Sequence, residues 1–201
     1  MVMDPEHGTV DSPGNPDELQ LMSGAAQAVA RLNSLDLMVA VVTNQPGVAK
    51  GRFSRELHHA MERKLVEGVE AGGGRLDAIY TCLHHPKAKL EELRATCDCR
   101  KPKPGLILQA AREHGLQLTG SFMVGDGVTD IEAGQAAGLT TLFVGPRKCY
   151  TCDALVERGS WPNYWVENLS EAVDVIAALE HGDHASVSRF VPHCSTLRQS
   201  S

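Results

Sequence analysis

The chain has 201 residues, 42% of them apolar and only 4% aromatic, so its core must be built mainly from Ala, Val, Leu and Ile. A chain of this length buries about 70% of its unfolded surface, which favours one domain that folds without staples. With 19 basic and 25 acidic residues the formal charge is −6, which argues against sequence-independent nucleic-acid binding and falls short of a disordered composition.

In chain order, Met1–Asp4 reads as the end of a strand. The stretch Met1-Val2-Met3-Asp4-Pro5-Glu6 has no basic n-region and no apolar h-region. No signal peptide is expected, and a cytoplasmic protein is. Ser23 is placed to cap a helix over Gly24–Ser34. Leu37–Thr43 is β-branched and apolar on both faces, as a central parallel strand should be. Its core, Leu37–Val42, is the longest apolar run. A bilayer span needs about 20 residues, so no membrane partner is expected. Ser54 is placed to cap a second helix whose Leu57, Met61, Leu65 and Val69 recur every four residues, ending at Gly72-Gly73-Gly74.

Leu76–Tyr80 reads as the next strand, and the long charged segment Pro86–Arg100 as an insertion with its own source of order. Pro104 suits the start of a helix over Gly105–His114, closed by Gly115. Ser121–Gly125 is a strand, Asp130–Ala137 a short helix and Thr140–Val144 a strand. Asn168 with Glu171 resembles a capping box for a last helix through Leu179. From about His181 the chain loses periodicity and is rich in Ser and His, which predicts a mobile tail over 181–201. Alternating strands and helices point to an α/β fold with a doubly wound, mostly parallel sheet, as one domain over 1–180.

In such sheets ligands sit beyond the C-terminal strand ends. Four of these ends carry informative residues: Asp4-Pro5-Glu6-His7-Gly8-Thr9, Thr43-Asn44-Gln45-Pro46-Gly47, Arg100-Lys101-Pro102-Lys103-Pro104 and Gly125-Asp126-Gly127-Val128-Thr129-Asp130. Their chemistry suits phosphoryl transfer. A carboxylate can attack phosphorus and form an aspartyl phosphate. A second carboxylate can protonate the leaving oxygen. Hydroxyl and amide donors such as Thr43 and Asn44 can hold phosphoryl oxygens, and a fixed Lys can neutralise their charge. A further carboxylate can hold Mg²⁺.

One loop carries soft ligands. Cys82-Leu83-His84 and Cys97-Asp98-Cys99 supply three thiolates and one imidazole, a complete tetrahedral set for Zn²⁺. With no position left for a catalytic water, the ion would be structural, ordering a loop (about 82–99) too poor in apolar residues to order itself. Cys149-Tyr150-Thr151-Cys152 has a Cys-x-x-Cys spacing but no second pair nearby, and reads as incidental thiols, with a redox or second metal role as the alternative. His58 and His59, on the second helix, read as solvated.

This set of strand ends resembles the haloacid dehalogenase superfamily of phosphatases. Val41–Gly51 and Cys97–Gly105 resemble the second and third signatures of its heptose bisphosphate phosphatase branch, whose close relatives are histidinol-phosphate phosphatases. The resemblance runs from about Gly8 to about Leu179. It implies Asp4 as nucleophile and Glu6 as acid and base, with Mg²⁺ held by Asp4, the Glu6 main-chain carbonyl and Asp126. Thr43, Asn44, Gln45, Arg100 and Lys101 would bind a small phosphosugar, with Asp130 orienting Lys101 or capping its helix. Zn²⁺ would take Cys82, His84, Cys97 and Cys99. The implied enzyme is a monomeric phosphomonoesterase.

The first motif departs from the family's Asp-x-Asp-Gly-[Thr/Val]. Anchored on Asp4, it makes Glu6 the acid/base with His7 inserted; anchored on Gly8-Thr9, it puts His7 at the acid/base place and Pro5 at the nucleophile's. A catalytically dead binding protein, or a histidinol-phosphate phosphatase, is the alternative outcome.

Overall fold

The computed structural model describes residues 2–3, 10–11 and 13–190. Asp4, Glu6 and His7 of the first motif lie outside the described residues. The chain divides into two compact units, Met1–Arg100 and Lys101–Ser201. Both are α/β, and their longer strands pair in parallel.

In the first unit, β1 (Val2–Met3) pairs antiparallel with β2 (Val10–Asp11). Helix α1 covers Ala25–Ser34. The expected Ser23 cap is not made: Gly24, at φ 77°, precedes the helix and no side chain caps it. Glycine adopts that left-handed geometry without a Cβ clash. Strand β3 spans Ala40–Asn44, starting later than expected from Leu37. Upstream, the Val39 N–H is taken by the Asp77 carboxylate at 2.8 Å rather than by a neighbouring strand.

Helix α2 (Arg55–Ala71) opens as expected, with Ser54 Oγ accepting the Leu57 N–H, and ends at Gly72. Strand β4 (Ala78–Cys82) runs parallel to β3 in the register Thr43↔Thr81, Asn44↔Cys82. The core of this unit is Ala26, Ala28, Val29 and Leu32 of α1, Met61 and Val69 of α2, and Tyr80 of β4.

His58 is not solvated; it is 4% exposed. Its Nε2 lies 3.1 Å from Glu62 Oε1. The Thr81 hydroxyl donates to that same oxygen at 2.8 Å. The imidazole is therefore buried with a partner, as a buried polar group requires. His59, one residue on, is exposed as expected, with its ring against Glu62 Oε2.

The insertion is also less bare than its composition suggested. A single 3₁₀ turn, Glu91–Leu93, brings Leu93 and Ala88 into a small buried cluster with Val48 and Ala49, against which Phe53 and Leu83 pack. The Lys89 N–H donates to the Ala49 carbonyl at 2.8 Å. Apolar residues that follow β3 thus help to order the loop, which does not depend on a metal alone.

In the second unit, α3 (Gly105–His114) follows Pro104 and is closed by Gly115 at φ 64°. Strand β5 is Phe122–Gly125, α4 is Val128–Ala136 and β6 is Thr140–Val144. Two further elements were not expected from the sequence: α5 (Cys149–Arg158) and β7 (Tyr164–Val166). Strands β5, β6 and β7 form one parallel sheet in that order. Helix α6 (Leu169–Glu180) has the anticipated cap: Asn168 Oδ1 accepts the Glu171 N–H at 3.0 Å. Leu142, Ile131, Leu155 and Val173 are fully buried at the centre of this unit. Beyond α6, the Phe190 N–H donates to the Asn163 carbonyl at 2.8 Å, and its ring lies against Trp161 and Trp165.

Candidate active-site residues and metal centre

At the C-terminal end of β5, Gly125 leads into a turn through Asp126 and Gly127 before α4 begins. Asp130, in the first turn of α4, is 7% exposed. Its two carboxylate oxygens have different partners. Oδ1 lies 2.6 Å from Lys101 Nζ. Oδ2 accepts the Gly127 N–H at 2.9 Å, closing the turn. Both side chains of the ion pair are about nine-tenths covered. Gly125 is required by this geometry, because a Cβ there would overlap Asp130.

Asp126 is exposed by surface area, although the protein around it partly desolvates its carboxyl. That desolvation, and then the charge of Asp130, raise its pKa, while Lys101 opposes the rise. Two carboxylates and one ammonium close together form a fixed electrostatic site with a net acceptor character, suited to a hard cation.

In the first unit the ends of β3 and β4 lie side by side. Gln45 Nε2 donates to Thr43 Oγ1 at 3.2 Å, so the Thr43 hydroxyl proton is free to point elsewhere. The Gln45 N–H donates to the Cys82 carbonyl at 2.9 Å, extending the β3–β4 ladder by one bond. The Thr43-Asn44-Gln45 turn is thereby fastened to the first residue of the sulfur cluster.

That cluster is Cys82, His84, Cys97 and Cys99, whose ligand atoms all lie within 4.8 Å of one another. The Sγ–Sγ separations are 3.6 Å (Cys82–Cys97), 3.2 Å (Cys82–Cys99) and 3.1 Å (Cys97–Cys99). His84 Nδ1 is 3.3 Å from Cys99 Sγ. A tetrahedral Zn²⁺ with Zn–S near 2.3 Å has S–S edges of about 3.8 Å, whereas a disulfide needs about 2.05 Å. The four donors therefore fit a tetrahedral ion and not a disulfide.

Burial pushes the Cys82 and Cys99 thiols up. Burial opposes the change at Cys97, but hydrogen bonds from Cys99 and Cys82 bring that thiol down. Three crowded sulfurs cannot all ionise without a cation among them. Arg100 follows the cluster directly, and its Nη1 donates to the His84 carbonyl at 3.2 Å. His85, one residue off the pattern, lies outside the ligand set and accepts the Lys87 N–H at its Nδ1.

The expected residues thus fall into two groups. Thr43, Asn44, Gln45 and Arg100 share the first unit with the four soft ligands, and Lys101, Asp126 and Asp130 share the second. The sequence did not foretell the use of the Cys82 carbonyl and the His84 carbonyl as anchors for Gln45 and Arg100. Main-chain acceptors leave no signature in residue types.

A family model described as HAD-hydrolase-like matches residues 98–172. The chain is 38% identical over 126 residues, 63% of its length and 70% of the relative's, to D-glycero-beta-D-manno-heptose-1,7-bisphosphate 7-phosphatase of Rhodopseudomonas palustris. It is 35% identical over 165 residues, 82% of its length and 87% of the relative's, to the protein of the same name from Pasteurella multocida. Among solved structures, D,D-heptose 1,7-bisphosphate phosphatase of B. bronchiseptica, crystallised with magnesium and phosphate, superposes with a TM-score of 0.71 at 31% identity, covering 83% of this chain and 88% of that one.

Proposed function

We propose, from the premise that the chain belongs to the haloacid dehalogenase-like phosphatases, that it removes the 7-phosphate of D-glycero-D-manno-heptose 1,7-bisphosphate. The family is shown by relatives 35–38% identical that the chain covers over 70–87% of their length. The observation that supports the activity within this chain is the buried Lys101–Asp130 pair beside Asp126. An ammonium held this firmly loses no side-chain entropy when it meets a phosphoryl group.

In this reading Asp4 attacks phosphorus and the sugar oxygen leaves with a proton from Glu6. Glu6 then takes a proton from the water that opens the aspartyl phosphate. Thr43 and Asn44 donate to phosphoryl oxygens, with Gln45 fixing the Thr43 hydroxyl. Lys101 neutralises charge that builds on those oxygens, held in place by Asp130. Arg100, whose planar fork suits a phosphate, meets the second anionic group of the substrate. Asp126, Asp4 and the Glu6 main-chain carbonyl would hold Mg²⁺, which supplies charge neutralisation at the reacting phosphate when bound. Cys82, His84, Cys97 and Cys99 would hold Zn²⁺ as a structural ion.

Among the described residues no helix is long and apolar enough to cross a membrane, and a monomer working in the cytoplasm is the proposed setting. The test is phosphate release from a panel of sugar phosphates in Mg²⁺, with histidinol phosphate included. Preference for the heptose bisphosphate, abolished by Asp4→Asn, supports the reading. Preference for histidinol phosphate overturns the substrate, and phosphate binding without turnover overturns the activity.

A further inference from the structure

The Cys149-Tyr150-Thr151-Cys152 motif belongs to the second unit, is not among the four soft ligands, and has no part in the chemistry above. The sequence alone gave it no secondary structure. The fold makes it the first turn of α5, with Cys149 as the first helical residue. The two thiols differ sharply in access: Cys149 is exposed and Cys152 is 5% exposed. No disulfide joins them. Both the Thr151 and the Cys152 N–H groups donate to the Lys148 carbonyl, which fixes the turn.

Helix geometry decides whether such a pair can close. Residues three apart in an α-helix have Cα atoms about 5 Å apart, inside the roughly 4.4–6.8 Å range of disulfides. Their Cβ atoms start about 5–6 Å apart and must come about 1–2 Å nearer, an adjustment confined to one turn at a helix end. An accessible thiol and a shielded one within a turn are the arrangement of a dithiol in which one sulfur captures and the other resolves.

We propose that Cys149 and Cys152 form a redox-modifiable dithiol that reacts with low-molecular-weight disulfides of the glutathione type. The Cys149 thiolate attacks one sulfur of the disulfide, the S–S bond breaks, and one small thiolate leaves. The Cys152 thiolate then attacks Cys149 sulfur, the mixed disulfide breaks, and the second small thiolate leaves. Two protein thiols are oxidised and one small disulfide is reduced to two thiols, which carry away the two protons. This inference does not rest on the phosphatase reading.

Trypsin cuts after Lys148 and after Arg158, so Cys149–Arg158 is released as one peptide with two cysteines and no others. Full-length, zinc-loaded protein is treated with oxidised glutathione, quenched with acid and alkylated before digestion. The expected product is that peptide lacking two hydrogens and refusing alkylation, reversed by dithiothreitol and unchanged in Cys194→Ser. Cys152→Ala should instead trap one glutathione on Cys149, and Cys149→Ser should block capture and leave Cys152 unmodified. Circular dichroism verifies that each variant is folded. A stable glutathione adduct on Cys149 in the wild-type protein, a Cys149–Cys194 bridge, or a peptide that stays fully reduced overturns the proposal.

Discussion

Lys101 Nζ sits 2.6 Å from Asp130 Oδ1, while the other oxygen of the same carboxylate holds the Gly127 N–H. One side chain therefore fixes both a cation and the turn that carries Asp126. Losing either partner should leave a poorly solvated charge, at a cost of about 3–5 kcal/mol. Lys101→Met should abolish phosphate release while keeping the fold. Asp130→Asn can still accept the Gly127 N–H but not balance the ammonium, so it should lose activity by about 100-fold through misplaced Lys101. Urea melts and kcat measured on both variants separate the two effects.

Gly125→Ala places a methyl group where Asp130 stands. Overpacking of this kind costs about 1–3 kcal/mol. Because the atom that must yield is the catalytic lysine's partner, kcat should fall by more than the thermal midpoint implies.

Cys99→Ser removes one of four donors and should lower bound zinc below one equivalent. The loop over 82–99 should then exchange its amides faster, with Gln45 following because its N–H rests on the Cys82 carbonyl. The Ala88–Leu93 contacts with Val48 and Ala49 should keep part of the loop protected. Hydrogen exchange with and without chelator reads both outcomes.

His58 predicts an acid-side loss of stability. Burial, opposed by Glu62, lowers its pKa from the ordinary 6.5. The unfolded chain thus binds this proton more readily than the folded one. The contribution is complete above about pH 6.5 and shrinks as pH falls through the folded value. The Glu62 pKa is also lowered, its hydrogen bonds from Thr81 and His59 outweighing the burial that opposes them, so its contribution is lost lower, below the ordinary 4.5. Denaturant midpoints between pH 7 and 5 should fall in the wild type and flatten in His58→Gln.

Much of this was legible in residue order because the signals are local. Ser54, Gly115 and Asn168 cap or end helices where their chemistry says they should, and the Cys-x-His and Cys-x-Cys pairs meet as their ligand types demand. Helix α5 leaves no clear apolar period in the sequence because its inward face is Thr151, Cys152 and Leu155, a stripe with one strongly apolar member. Strand β7 is only three residues long, although Tyr164-Trp165-Val166 has strand composition. The burial of His58 depends on Glu62 and on Thr81 from another element, which no local pattern encodes.

The most direct test of the account is Mg²⁺-dependent phosphate release from D-glycero-D-manno-heptose 1,7-bisphosphate by the wild-type chain beside Asp4→Asn and Lys101→Met. The account predicts one phosphate released per substrate by the wild type and none above background by either variant. Release that survives Asp4→Asn, or its absence from a folded, zinc-loaded wild type, would contradict it.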